Sequence, residues 1–160
     1  MNDPSKVLAP KTEDNIIDLR DHLIDNLETL FGDDVEKWDY KNDEVIKHVM
    51  DTVLEKINGG NVIMLYTLGD GFNCHSCDLV YAAIHRGGIV DKLKEHDVTI
   101  ILASAAYPPG RVVKDALGPH AISVPVFAPF AHGEKLGPLL IGDRPDNVIT
   151  DHLDMWYTGK

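Results

Sequence analysis

Cysteine is scarce in this sequence: Cys74 and Cys77 are the two present among 160 residues. Two are too few for the disulfide framework that holds small secreted domains together. Basic residues are also short, with 15 Lys and Arg against 26 Asp and Glu and a formal net charge of −11. That balance disfavours attachment to nucleic acid or to an anionic membrane surface through bulk charge. No apolar run is long enough to span a bilayer. The opening stretch, MNDPSKVLAPKTEDN, has no apolar core of signal-peptide length. The expectation is a cytoplasmic protein without nucleic-acid or membrane partners. Internal repeats and low-complexity segments are missing too, which argues against a solenoid or a linker protein.

What is present suits a globular domain. Hydrophobic residues make up 44% of the chain, enough for a sizeable core. Residues 1–12 carry two prolines and no periodicity and read as a loose tail. From Asp14 to Phe31, Ile16, Leu19, Leu23, Leu27 and Leu30 recur at steps of three and four, which predicts an amphipathic helix ended by Gly32. Residues 34–40 alternate weakly, as an edge strand or a loop would. Asn42 or Asp43 is placed to cap a helix running to about Asn58, and Gly59-Gly60 terminates it. NVIMLYTL (61–68) and DVTIILAS (97–104) are apolar at nearly every position, the signature of strands buried on both faces.

Between these two strands, residues 76–86 read as a helix, interrupted at Gly87-Gly88 and resumed over 89–96. Beyond them, AAYPPG is a loop, 111–117 a short helix, and AISVPVFAPF strand-like despite two prolines. His132-Gly133 is a turn, 136–141 a strand, and 145–157 a last helix. Alternating strands and helices imply parallel pairing, and the turn at Gly133 implies one antiparallel hairpin. The expected class is α/β, a mixed central sheet flanked by helices.

The cysteines stand where a buried strand gives way to a helix. Unpaired N–H groups at a helix start stabilise an anion, and a thiolate is such an anion. In pairs of this spacing the thiol pKa drops to ~3.5–7.5. Cys74, at the helix start, suits a nucleophile. Cys77, one turn deeper, suits a resolving thiol. Between them, a protonated His75 would stabilise the Cys74 thiolate and make the disulfide more oxidising; the plainer reading is an exposed helix-start residue. As a metal site the local candidates are Cys74, Cys77, His75 and His85. No second CxxC exists and no common zinc spacing matches, so no metal is expected. The remaining six histidines (His22, His48, His96, His120, His132 and His152) are expected to be solvated. Trp38, Tyr66 and Trp156 are expected in the core.

The strand–CxxC–helix arrangement resembles the thioredoxin superfamily over roughly residues 34–157. ISVPVF with Pro125, the Gly-containing turn AHGEK, Gly142 and the C-terminal helix follow in the same order. The resemblance implies a thioredoxin-like domain over 33–160, preceded by a tail and helical extension over 1–32. It implies a cis Val124–Pro125 bond beside the cysteines, with the Val124 backbone free to pair with a substrate strand. It also implies a thiol–disulfide oxidoreductase that needs no organic cofactor, with a protein disulfide as substrate and a separate reductase or oxidant as partner. Departures from the family pattern are Asn73-Cys74-His75-Ser76-Cys77 in place of Trp-Cys-Gly-Pro-Cys and the lack of an acid in NVIMLYTL. Asp70, in the following loop, is the nearest carboxylate, either a proton relay or a turn residue. Pro129 suggests a bulge or an early strand end. The rival class is a non-catalytic binding, assembly or redox-sensing protein on the same fold.

Overall fold

Successive side chains of a strand point to opposite faces, so a run that is apolar throughout is satisfied only between two layers. NVIMLYT and VTIILAS are such runs, and they occupy the centre of the molecule. The computed structural model describes residues 11–13, 15–18, 44–68, 74–105, 114, 117 and 123–158. In chain order these form β1 (Lys11–Glu13), β2 (Ile16–Asp18), α1 (Glu44–Gly59), β3 (Asn61–Thr67), α2 (His75–Ile84), α3 (Gly87–Glu95), β4 (Val98–Ser104), β5 (Val126–Ala131), β6 (Glu134–Lys135), β7 (Leu140–Ile141) and α4 (Asp146–Thr158). Lys114 and Leu117 are helical.

The strands form one mixed sheet, ordered β1-β2-β4-β3-β5-β6, with β7 also paired to β5. β3 and β4 run parallel, in register from Asn61↔Val98 to Thr67↔Ser104. β5 is antiparallel to β3, from Asn61↔Ala131 to Tyr66↔Val126. Alternation then divides the core in two. Val62, Met64 and Tyr66 pack with Ile101, Ala103, Val126, Ala128 and Phe130 against Val53 and Ile57 of α1. Ile63, Leu65, Ile100, Leu102 and Phe127 face the other way, under Val80, Ala83 and Ile84 of α2, Ile89 and Leu93 of α3, and Ile149, Leu153 and Trp156 of α4. Each fully buried large apolar side chain stabilises the fold by about 1.5–3 kcal/mol. The sheet with helices on both faces matches the class read from the sequence.

The helix expected from Asp14 is overturned at its start, because Ile16–Asp18 is a strand parallel to β4. Ile16 and Ile17 are both buried, one in each core, and only a strand sends neighbouring side chains to opposite faces. The expected tail likewise contributes β1, antiparallel to β2. Asn15, at φ 66°, turns the chain between them. Its side-chain amide donates to the Val98 carbonyl at 3.1 Å, and its own carbonyl accepts from the Ile100 N–H at 2.8 Å. Part of the segment expected to precede the domain is therefore built into its sheet. The rest of that helix and the expected strand over 34–40 lie outside the described residues.

Pro129 causes no bulge and no early end. The N–H and C=O of a strand residue point to the same side, and the Pro129 carbonyl accepts from the Leu136 N–H at 2.9 Å. The missing N–H therefore faces away from β3, and no rung to that strand is lost. Of the strand predicted over 136–141 only Leu140–Ile141 is strand (β7); β6 precedes that range, and a cis Gly137–Pro138 bond lies between the two. His132 and Gly133 both have positive φ, 49° and 84°, as a tight hairpin turn requires. Their N–H groups bond to the carbonyls of Gly60 and Ile57, so the turn also satisfies the end of α1.

Candidate active site

Cys74 and Cys77 are joined as a disulfide at the start of α2, with Cα atoms 5.3 Å apart. Cys74 is the residue before the first helical turn, with extended backbone angles φ −130° and ψ 90°. Its Sγ accepts the Cys77 N–H at 3.3 Å, and its carbonyl accepts the Asp78 N–H at 3.2 Å. The first sulfur thus serves as the helix cap, a position where negative charge is favoured. Cys74 is half-buried, and Cys77 is 4% exposed beneath it. His75 is exposed and Ser76 half-buried. Asp70 lies outside the described residues.

The second wall of the site comes from the segment before β5. The Val124–Pro125 bond is cis. Pro125 is buried, and its carbonyl accepts the Gly142 N–H at 2.8 Å. Val124 is half-buried and packs against the α1-side core, as do Ala105 and Leu117. Because β5 is antiparallel to β3 and its first residue, Val126, pairs with Tyr66, Val124 and Pro125 fall at the end of the sheet where β3 leaves for Cys74. The topology therefore brings the proline segment and the cysteine segment to one end of the sheet.

Sequence reasoning singled out no polar side chain of the buried strands for this end, yet two hydroxyls line it. Thr67 and Ser104 are 0% and 6% exposed and adjacent in register. Ser104 Oγ donates to the Leu68 carbonyl at 3.1 Å. Thr67 Oγ1 is buried without a hydrogen-bond partner among the described residues, as is the Tyr66 hydroxyl. Burial pushes the Tyr66 phenol well above its ordinary pKa. The only signal in the sequence was a threonine closing an otherwise apolar run.

Glu95, His96 and Asp154 form a separate cluster of ligand-type groups. His96, two residues before β4, lies at the opposite end of that strand from Ser104, so the cluster is remote from the disulfide. His96, expected to be solvated, has a side chain only 9% exposed and lies 2.7 Å from Asp154 Oδ1. Lys92 Nζ reaches the same oxygen at 3.0 Å and Glu95 at 3.1 Å. The lysine bridges the two carboxylates and ties α3 to α4. These bonds, to His96 first and then to Lys92, hold the Asp154 carboxyl below its ordinary pKa. His152 Nδ1 donates to the Val148 carbonyl at 2.8 Å, and the ring meets Trp156 edge to face.

Comparison with protein-family models finds no match, and none is found among curated protein sequences. Solved structures do match. Oxidised thioredoxin O2 from Arabidopsis thaliana superposes with a TM-score of 0.53 at 17% identity, covering 69% of this chain and 89% of that one. A thioredoxin from Thermus thermophilus gives 0.50 at 19% identity, covering 65% and 78%. A point-mutant thioredoxin from Halobacterium salinarum gives 0.50 at 16% identity, covering 66% and 84%. At these identities the likeness is one of fold, and the fold is thioredoxin-like.

Proposed function

We propose that this protein is a thiol–disulfide oxidoreductase acting on protein disulfides through Cys74 and Cys77. The observation that carries the reading is the placement of the pair: the first sulfur caps a helix and the second is buried one turn on. In the reduced protein the Cys74 thiolate attacks a substrate disulfide. A Cys74–substrate disulfide forms, and the first substrate sulfur leaves as a thiolate that takes a proton from water. Cys77 then loses its proton and attacks the Cys74 sulfur. The Cys74–Cys77 disulfide forms and the second substrate sulfur leaves. Two electrons pass from the protein dithiol to the substrate, and a separate reductase or dithiol restores the starting state; the same steps reversed oxidise a substrate.

In this reading His75, when protonated, lowers the energy of the Cys74 thiolate from its exposed position. The Val124 backbone offers a strand-like edge to the substrate, giving affinity with little sequence selectivity. Pro125 packs behind it. The reading carries the expectation of a cytoplasmic setting. No helix among the described residues is long and apolar enough to cross a membrane.

The test is an insulin-type disulfide reduction assay with a dithiol as electron source, run beside Cys74→Ser and Cys77→Ser. Turnover that disappears in both variants is the expected result. A wild-type protein that fails to exceed the dithiol alone, while its disulfide still forms and breaks, would refute catalysis and leave a redox-sensing or binding protein.

A further inference from the structure

We infer that Thr67 is a positioning residue for Cys77, its hydroxyl donating to the Cys77 sulfur once the disulfide is opened. The inference rests on the oxidoreductase reading above. Ile63 and Leu65 of β3 face α2, where they pack with Val80, Ala83 and Ile84. Thr67 is the next residue on that face, at the end where the chain leaves for the cysteines. Cys77 lies one turn before Val80 on α2, toward the same end, and is 4% exposed. Thr67 is flanked by Ser104 on β4. On its other side, one position beyond the Tyr66↔Val126 pair, comes Pro125. A row of Ser104, Thr67 and Pro125 thus closes the α2 side of the sheet at the disulfide end.

Within this row Thr67 is completely buried, and its hydroxyl has no partner among the described residues. A buried donor left unpaired is costly, and in the oxidised site the hydroxyl makes no hydrogen bond to the Cys77 sulfur. Reduction changes the demand. During resolution Cys77 must become a thiolate in a buried place, where desolvation opposes charge. An O–H donor on the same face offsets that penalty. The hydroxyl keeps its own proton; the Cys77 proton goes to water or to the departing substrate sulfur. Tyr66, its neighbour in sequence, is an internal comparison. Its hydroxyl is equally buried and unpartnered, but its ring belongs to the α1-side core.

The experiment titrates the lone thiol of the Cys74→Ser protein by the ultraviolet absorbance of the thiolate, with Thr67, Thr67→Val, Thr67→Ser and Tyr66→Phe. Thr67→Val is expected to raise the Cys77 pKa by about one unit, roughly a tenfold loss of thiolate at a given pH. Thr67→Ser is expected to restore it, and Tyr66→Phe to leave it in place. In the two-cysteine protein, Thr67→Val should slow release of the second substrate sulfur by about threefold. The higher nucleophilicity of the more basic thiolate recovers part of the tenfold loss. A structural role alone would move the melting temperature and not the titration. Thr67→Val titrating with its parent overturns the inference, as does an equal shift from Tyr66→Phe. If the valine variant does not fold, Thr67→Ala takes its place. An inactive protein that still shows the Thr67-dependent shift would sink the oxidoreductase reading and leave the hydrogen bond standing. An active protein without the shift would sink the hydrogen bond alone.

Discussion

Reducing the disulfide is expected to destabilise the folded protein, by an amount set by two opposing effects. The bond joins residues with a sequence separation of 3, so the closed loop is about four residues long. Closing so short a loop removes about 2 kcal/mol of conformational entropy from the unfolded chain at 25 °C. Opposing this, the Cys74 sulfur sits at the start of α2 with the Cys77 N–H directed at it in the disulfide form, the place a Cys74 thiolate would occupy on reduction. A negative charge at a helix N-terminus is favoured by about 0.3–1 kcal/mol. The oxidised form should therefore be the more stable by about 1–1.7 kcal/mol. By linkage, the folded disulfide should be about 20–35 mV harder to reduce than the same pair in the unfolded chain. Anaerobic urea titrations of both forms would measure the difference, and thermal melts should differ by a few degrees in the same direction. A reduced form that is equally or more stable would refute the reasoning. Thiolate stabilisation would then outweigh loop closure, and the pair would be poised as an oxidant.

Alkylation of the reduced protein near neutral pH should label Cys74 before Cys77, and Cys77→Ser should accumulate mixed disulfides with substrates on Cys74; faster labelling of Cys77 would reverse the assignment. If a protonated His75 supports the Cys74 thiolate, His75→Ala should raise the Cys74 pKa and make the disulfide potential more negative; an unchanged potential would leave His75 as a surface residue. Gly133→Ala should cost about 1–2 kcal/mol in urea denaturation, because Gly133 sits at φ 84°, which L-residues pay to adopt. A new Cβ would also lie 2.6 Å from Asn58 Oδ1, but that side chain can move, so adding Asn58→Ala should not restore the loss. Asp154→Asn should flatten the acid limb of stability against pH. The carboxyl is held low by His96 and Lys92, so its contribution is present above the ordinary carboxylate pKa and lost as pH falls through the lowered one. An unchanged acid limb would remove Asp154 from the account.

The central elements were legible because local pattern and tertiary demand coincide there. NVIMLYT and VTIILAS have no arrangement but burial between layers, and the helix break expected at Gly87-Gly88 falls just before it, at His85 and Arg86, with both glycines opening α3. Where the two conflict, tertiary pairing prevails. Ile16 begins a helical repeat, but Ile16-Ile17 is also a β-branched doublet, and the free edge of β4 takes it as a strand. The helical period is only a preference for one apolar stripe, whereas the edge supplies hydrogen bonds to satisfy. Pro129 misled for a related reason. A proline breaks a ladder only on the side its nitrogen faces, and that side is fixed by register, which a linear pattern does not contain. His96 is the same case in charge rather than backbone: nothing in KEHD foretells an aspartate arriving from α4, 58 residues later.

The candidate site divides along this line. Cys74 and Cys77 announce themselves because their chemistry is rare and their spacing is local. Pro125 is visible only through the order of elements around it, since nothing in SVPV by itself points to cysteines about fifty residues earlier in the sequence. Thr67 is silent altogether. A threonine ending an apolar strand is ordinary, and it gains meaning only when the register sets it between Ser104 and Pro125 on the face that carries Cys77. Thr67→Val therefore separates a site made of two cysteines on a supporting scaffold from one in which the buried strand itself takes part. In the first case valine, apolar like the rest of the run, should be silent in the thiol titration and neutral or better in stability, because it removes an unpaired buried hydroxyl. In the second, the same substitution should gain stability while losing thiolate, and only a hydroxyl with a partner in the reduced state produces those two changes together.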